Sequence, residues 1–182
     1  MDSQEINIHQ EIIDRSRDGD RIAQRELYEL YGQAMFNTAL RILQNREEAE
    51  DVLQEAFVTC FARLSQYRKE ATFGAWLKRI VINGALNKLR KSQRIMFVEE
   101  VQDTAVEDAI ETVGEYTVDA VKEAIRRLPQ GFRAVLTLYL FEGYDHAEIA
   151  QILGITVSTS KSQYNRAKRK VREMIESKQS YG

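Results

Sequence analysis

Residues 145–172, DHAEIAQILGITVSTSKSQYNRAKRKVR, constrain the fold more than any other stretch, because their spacing fits two helices parted by one turn. Asp145, with Glu148 three residues on, has the spacing of a capping box and starts a helix that runs to Leu153. Gly154 ends it. Thr156 can cap a second helix in which Val157, Ser160, Tyr164, Ala167, Val171 and Met174 recur every three or four residues, the spacing of one inward face. The opposite face is polar and basic: Lys161, Arg166, Lys168, Arg169, Lys170 and Arg172 meet no acid between Val157 and Arg172. A major groove admits one α-helix, and Ser158, Lys161, Ser162, Asn165 and Arg166 on such a helix offer donors to base edges as well as to phosphates.

The 182 residues, 43% hydrophobic and 30% charged, suffice for one or two modest cores. With one Pro, nine Gly and no strand-like alternation, the chain reads as almost all helix. No apolar run approaches the roughly 20 residues of a membrane span, and the N-terminus lacks the basic start and apolar centre of a signal peptide. The expected location is therefore the cytoplasm, with no membrane insertion. Cys60 stands alone and there are two His, so neither an internal disulfide nor a usual structural zinc site is expected.

Charge is strongly segmented beneath a net value of −2. Gly19 and Asp20 separate a first short helix from a second in which Ile22, Ala23, Leu27, Leu30 and Tyr31 keep helical spacing, and a further apolar stretch runs from Met35 to Leu43. Asn45 and Glu48 repeat the cap spacing ahead of an inward stripe of Ala49, Val52, Leu53, Ala56, Phe57, Cys60, Phe61 and Leu64. The outward side there is acidic, with Glu47, Glu48, Glu50, Asp51 and Glu55 against Arg46 and Arg63.

Residues 65–72 interrupt the pattern, and a long helix follows from Phe73 through Leu89. Its polar stripe of Arg79, Asn83, Asn87, Arg90 and Arg94 is flanked by Lys78, Lys88 and Lys91, and no acid lies between Gly74 and Arg94. This is a second face suited to nucleic acid. Trp76 shares a side with Leu77 and Ile80 and is assigned to the core rather than to base stacking. Residues 95–121 hold eight acids and no Lys or Arg, and the part up to about residue 116 reads as an extended linker. Val118, Val121, Ile125 and Leu128 then open a second bundle, with Pro129 suited to the first turn of the next helix.

Three blocks, AEDVLQEAFVTCFARL (49–64), FGAWLKRIVINGALNKLRK (73–91) and LPQGFRAVLTLYLFEGYDHAEIAQILGI (128–155), together make the chain resemble an extracytoplasmic-function (group IV) sigma factor of the sigma-70 family. The resemblance covers roughly nine-tenths of the chain and is far more specific than a lone helix-turn-helix. It implies an all-α protein of two small helical domains: region 2 at 1–94, an acidic linker at 95–116 and region 4 at 117–182. It also implies promoter DNA and core RNA polymerase as partners, the latter through the clamp helices of the largest subunit and the flap, and it admits an anti-sigma partner. No cofactor, metal or catalytic residue is implied.

By the same resemblance, Asp51, Gln54 and Glu55 face the clamp helices, and an acidic stripe does suit a basic protein groove. Taken singly, each acid of that helix also reads as an ordinary solvated charge. Asn83 matches the position near the base captured from the promoter −10 element, with Arg79, Asn87, Lys88 and Arg90 toward the backbone and residues 65–72 at the pocket rim. Lys161, Ser162, Asn165 and Arg166 match positions that face the −35 element, with Ser158 and Lys168 beside them. Ser160 stands where relatives carry an apolar residue, so the second helix should seat less firmly unless its hydroxyl bonds back to its own backbone. The acidic linker fits an RNA mimic in the exit path and a solubilising spacer equally well.

A stand-alone helix-turn-helix regulator would account for residues 145–172 but leaves the second basic helix and the acidic helix without a role. A helical hydrolase using the acids at 47–55 as metal ligands lacks any matching His, phosphate loop or nucleophile motif.

Overall fold

The computed structural model describes residues 9–92 and 116–179. The chain divides into two compact units, residues 1–89 and 90–182. Every regular element among the described residues is helical, and none of these helices is long and apolar enough to cross a membrane. Arg94 and linker residues 95–115, with their acids, lie outside the described residues.

In the first unit, α1 (Gln10–Arg17) ends at Gly19, whose φ of +91° only glycine adopts without strain. Asp20 then caps α2 by accepting from the amides of Ile22 and Ala23 at 2.8 and 3.2 Å, while Arg15 grips the same carboxylate at 2.6 Å. That ion pair and those amides hold the Asp20 carboxyl below its usual range.

The two apolar stretches of the sequence form one 23-residue helix, α2 (Arg21–Leu43), because nothing between Tyr31 and Met35 breaks it. Gly32 sits within it, under the Tyr28 ring. Ala23, Leu27, Met35, Ala39 and Ile42 are buried, whereas Ile22 and Leu30, eight residues apart on a flank of that stripe, are 68% and 50% exposed.

α3 (Arg46–Ala62) starts at Asn45, whose side chain accepts from the Glu48 amide at 3.1 Å. Its inward stripe is buried as the spacing requires, apart from a half-buried Phe61. A short turn at Leu64–Gln66 leads to α4 (Phe73–Lys91), capped by Thr72 through the Ala75 amide at 3.2 Å. Leu77, Val81, Ile82, Ala85, Leu86 and Leu89 are each fully buried, worth about 1.5–3 kcal/mol for each large side chain removed from water. Gly84 permits close approach to α3, since a Cβ there would meet Val52 Cγ1 at 3.3 Å.

In the second unit, Thr117 caps α5 (Val118–Arg127), and α6 (Gln130–Leu140), α7 (His146–Leu153) and α8 (Val157–Gln179) follow. Pro129 is the cap of α6 and stands just before its first turn rather than within it. Ile125, Leu128, Leu136 and Ala167 make the centre of a core flanked by Val121, Phe132, Tyr164, Val171 and Met174. Arg133 is buried there, and its guanidinium donates to the carbonyls of Arg126 at 2.8 Å and Leu128 at 3.4 Å and to Gln130 Oε1, satisfying the end of α5.

Candidate nucleic-acid interface

The helix-turn-helix is built from caps. Asp145 accepts from the Glu148 amide at 2.8 Å, and the Glu148 carboxylate accepts from the Asp145 amide at 2.9 Å, a complete capping box. Gly154, at φ +68°, ends α7, and the Ile155 amide returns to the Ala150 carbonyl at 3.0 Å. Thr156 starts α8 by accepting from the Thr159 amide at 3.0 Å. The ends of the two helices are thus set by hydrogen bonds among near neighbours in the chain.

On α8, Ser158, Lys161 and Asn165 are exposed and Ser162, Arg166 and Lys168 are partly exposed, so all six candidates reach solvent. Ser162 Oγ donates to the Thr159 carbonyl at 3.0 Å, and the Lys168 ammonium lies 4.7 Å from the Tyr164 ring centroid. The inward face differs from its sequence reading at three positions. Val157 is 42% exposed, while Gln163 and Ile175 are buried at 7% and 3%. Both follow the same period; the amide of Gln163 disguised it.

Ser160 is wholly buried, and its hydroxyl does not turn back to its own backbone. It lies 2.9 Å from Nδ1 of His146 on α7. The imidazole stacks on Tyr139 at 4.8 Å and meets Tyr164 edge-on at 5.5 Å. Burial, then the charges of Lys161 and Lys168, lowers the His146 pKa from its ordinary value of 6.5, against an opposing pull from Asp145. His146 had no motif to announce it; only its place at the first position of α7 hinted at proximity to α8.

In the first unit, Asp51, Gln54 and Glu55 are exposed on α3. Gln54 borders a groove with Tyr28, Gly32, Gln33, Phe36 and Leu53, between α2 and α3. On α4, Asn83, Asn87 and Arg90 are exposed and Arg79 and Lys88 partly so. Lys88 Nζ pairs with Asp51 Oδ2 at 2.9 Å, joining a candidate of one face to a candidate of the other. Trp76 is half-buried in a cluster with Tyr67 at 5.3 Å and Phe73 at 5.9 Å, and so has both packing and an open edge. Tyr67 donates its hydroxyl to the Ala71 carbonyl at 2.7 Å, which closes the loop between Gln66 and Phe73.

Among the described residues no group of three or more His, Cys, Asp or Glu is placed to hold a metal ion. What the two units present instead is donor-rich helix surface: one basic helix in each, with an acidic helix beside the first.

Known proteins share this plan. The model for sigma-70 region 2 matches residues 27–95, and that for sigma-70 region 4 matches residues 119–171. The RNA polymerase sigma-H factor of Pseudomonas aeruginosa is 28% identical over 183 residues, covering 92% of this chain and 93% of that protein. The ECF RNA polymerase sigma-E factor of Haemophilus influenzae is 30% identical over 185 residues, covering 93% and 94%. The solved sigma factor RpoE of Bartonella quintana, in complex with the anti-sigma factor NepR, matches in fold with a TM-score of 0.58 at 22% identity, over 84% of this chain and 96% of that one. With the two regions in order and relatives matched over nearly their whole length, the chain belongs to the extracytoplasmic-function sigma factors of the sigma-70 family.

Proposed function

We propose that this sigma factor directs promoter-specific initiation by core RNA polymerase through two basic helices with separate tasks. The observation that carries the reading is their occurrence in different units, α4 in the first apart from its last two residues and α8 in the second, each with Asn among its basic residues. Residues 1–94 act as region 2. Asp51, Gln54 and Glu55 dock the clamp helices, where exposed carboxylates on a helix suit a basic groove and repel DNA. Asn83 serves the extruded −10 base, with Arg79, Asn87, Lys88 and Arg90 on the freed strand.

Residues 117–182 act as region 4, lying in the −35 major groove and contacting the flap. Asn165 has the donor and acceptor pair that an adenine edge requires, whereas Lys161, Arg166 and Lys168 reach phosphate or base with equal ease. Ser158 and Ser162 supply short donors near the helix start. Residues 95–116 tether the two and carry acid into the RNA exit path. An anti-sigma protein is a further partner, by analogy with the RpoE complex.

Run-off transcription on genomic fragments, with core polymerase plus and minus this protein, tests the whole. New start sites that depend on the protein are expected. DNA binding without any gain of transcription would instead favour a stand-alone regulator.

A further inference from the structure

His146 opens α7, and Ser160 lies in the first turn of α8. Ser160 has no exposed surface and shares its side of the helix with buried Gln163 and Ala167. A hydroxyl in such a place destabilises the fold unless it is paired. Its partner is on the other helix, with Oγ 2.9 Å from His146 Nδ1. The ring is held in turn by Tyr139 of α6 and Tyr164 of α8, whose own centroids are 4.5 Å apart. One imidazole therefore ties three helices together at the end of α8 that carries Ser158, Lys161 and Ser162.

Apolar contact tolerates a helix turning slightly about its axis; a hydrogen bond at this distance has a narrow range of good geometry. Lys161 is the next residue after Ser160, so a rotation of α8 that breaks the pair also swings Lys161, Ser162 and Asn165 away from their aim. We infer that His146 is a positioning residue for base reading, which through Ser160 fixes the rotation of α8 and so points Lys161, Ser162 and Asn165 at base edges. This rests on reading residues 117–182 as the −35 module.

Nδ1 accepts from the Ser160 hydroxyl in one neutral tautomer and donates to Oγ in the other and in the imidazolium. An imidazolium would face Lys161 and Lys168 from α8 and sit at the positive end of α7, with Asp145 opposing and the Tyr139 and Tyr164 rings around it. Protonation adds positive charge near DNA while Nδ1–H can still donate to Ser160 Oγ. Overall DNA affinity therefore rises on acidification while base discrimination is kept.

The test uses holoenzyme made from the full chain and core polymerase, on a promoter mapped by run-off transcription. Its −35 bases are randomised and the rest is held constant. The readout is the ratio of affinities for the selected and a scrambled −35 sequence, together with the salt slope. Ser160→Ala and His146→Phe should each lower the ratio roughly two- to tenfold, the span of one net hydrogen bond, with the salt slope unchanged. The double variant should be no worse than either single one.

His146→Asn retains a hydrogen-bonding group near the Nδ1 position and cannot titrate. It should keep the ratio, and its overall affinity should lack the rise that protonation of His146 gives the wild type on acidification. Circular dichroism of each variant separates lost aim from lost fold. A preference that survives in both Ser160→Ala and His146→Phe at every pH overturns the inference alone. A wild-type pool that shows no base preference overturns the −35 reading and the inference with it.

Discussion

Lys88 Nζ lies 2.9 Å from Asp51 Oδ2, so the basic face of α4 and the acidic face of α3 meet in one ion pair. The partners are 31% and 63% exposed, and such a pair contributes at most about 1 kcal/mol. Reversing the charge of Asp51 should therefore cost the fold little. The Asp51→Arg, Glu55→Arg double variant is expected to keep its helix content and bind core polymerase about an order of magnitude more weakly or worse. Competition with wild-type protein for limiting core measures this, and equal occupancy would move the docking surface elsewhere.

Duplex reading and melting should separate by variant. Lys161→Ala and Arg166→Ala are expected to weaken binding to −35 duplex DNA, and each lost phosphate contact should reduce the salt slope by about 0.9. Asn83→Ala should leave that binding intact and reduce open-complex formation. Permanganate footprinting reports the second effect, and normal opening would remove Asn83 from the −10 site.

Gly154 holds the turn between α7 and α8 at φ +68°. A Cβ there finds open space, so the cost of Gly154→Ala is backbone strain alone, about 1–2 kcal/mol. Thermal melting should show that loss. A variant as stable as wild type would mean that the turn relaxes out of the left-handed region.

Burial pushes the Cys60 thiol up to about 12. At pH 8 the folded protein should react with a thiol reagent far more slowly than the denatured chain, since both thiolate and access are lacking. Rapid labelling under native conditions would show that the α3 core opens readily.

The lowered His146 pKa makes folding depend on pH. The unfolded chain takes up this proton more readily, so the stability involved is complete above the ordinary value of 6.5 and is lost as pH falls through the folded value. NMR titration of the ring is expected to give a midpoint below 6.5 in the native protein. A midpoint at or above that value would contradict a buried, lysine-facing imidazole.

Much of the fold was legible in residue spacing. Asp145 with Glu148, Gly154 and Thr156 define the helix-turn-helix because caps and glycine turns depend on neighbours within four residues. The stripe from Ala49 to Leu64 was equally plain, since burial of one helix face imposes its period directly. Along α2 the period was less informative: Ile22 and Leu30 have helical spacing yet face outward, because spacing gives a stripe without saying which flank meets the core.

By itself, then, the sequence determined the all-helical class, the caps at Asn45, Asp145 and Thr156, the two basic faces and the resemblance to the sigma factors. Those depend on local geometry and on charge along the chain. Tertiary structure alone decided that Ser160 bonds His146 instead of its own backbone, that Gln163 is buried while Val157 is not, and that Asp51 meets Lys88. Each of these depends on which helix lies opposite, and a pairing between residues 14 or 37 positions apart leaves no period in the chain that carries it.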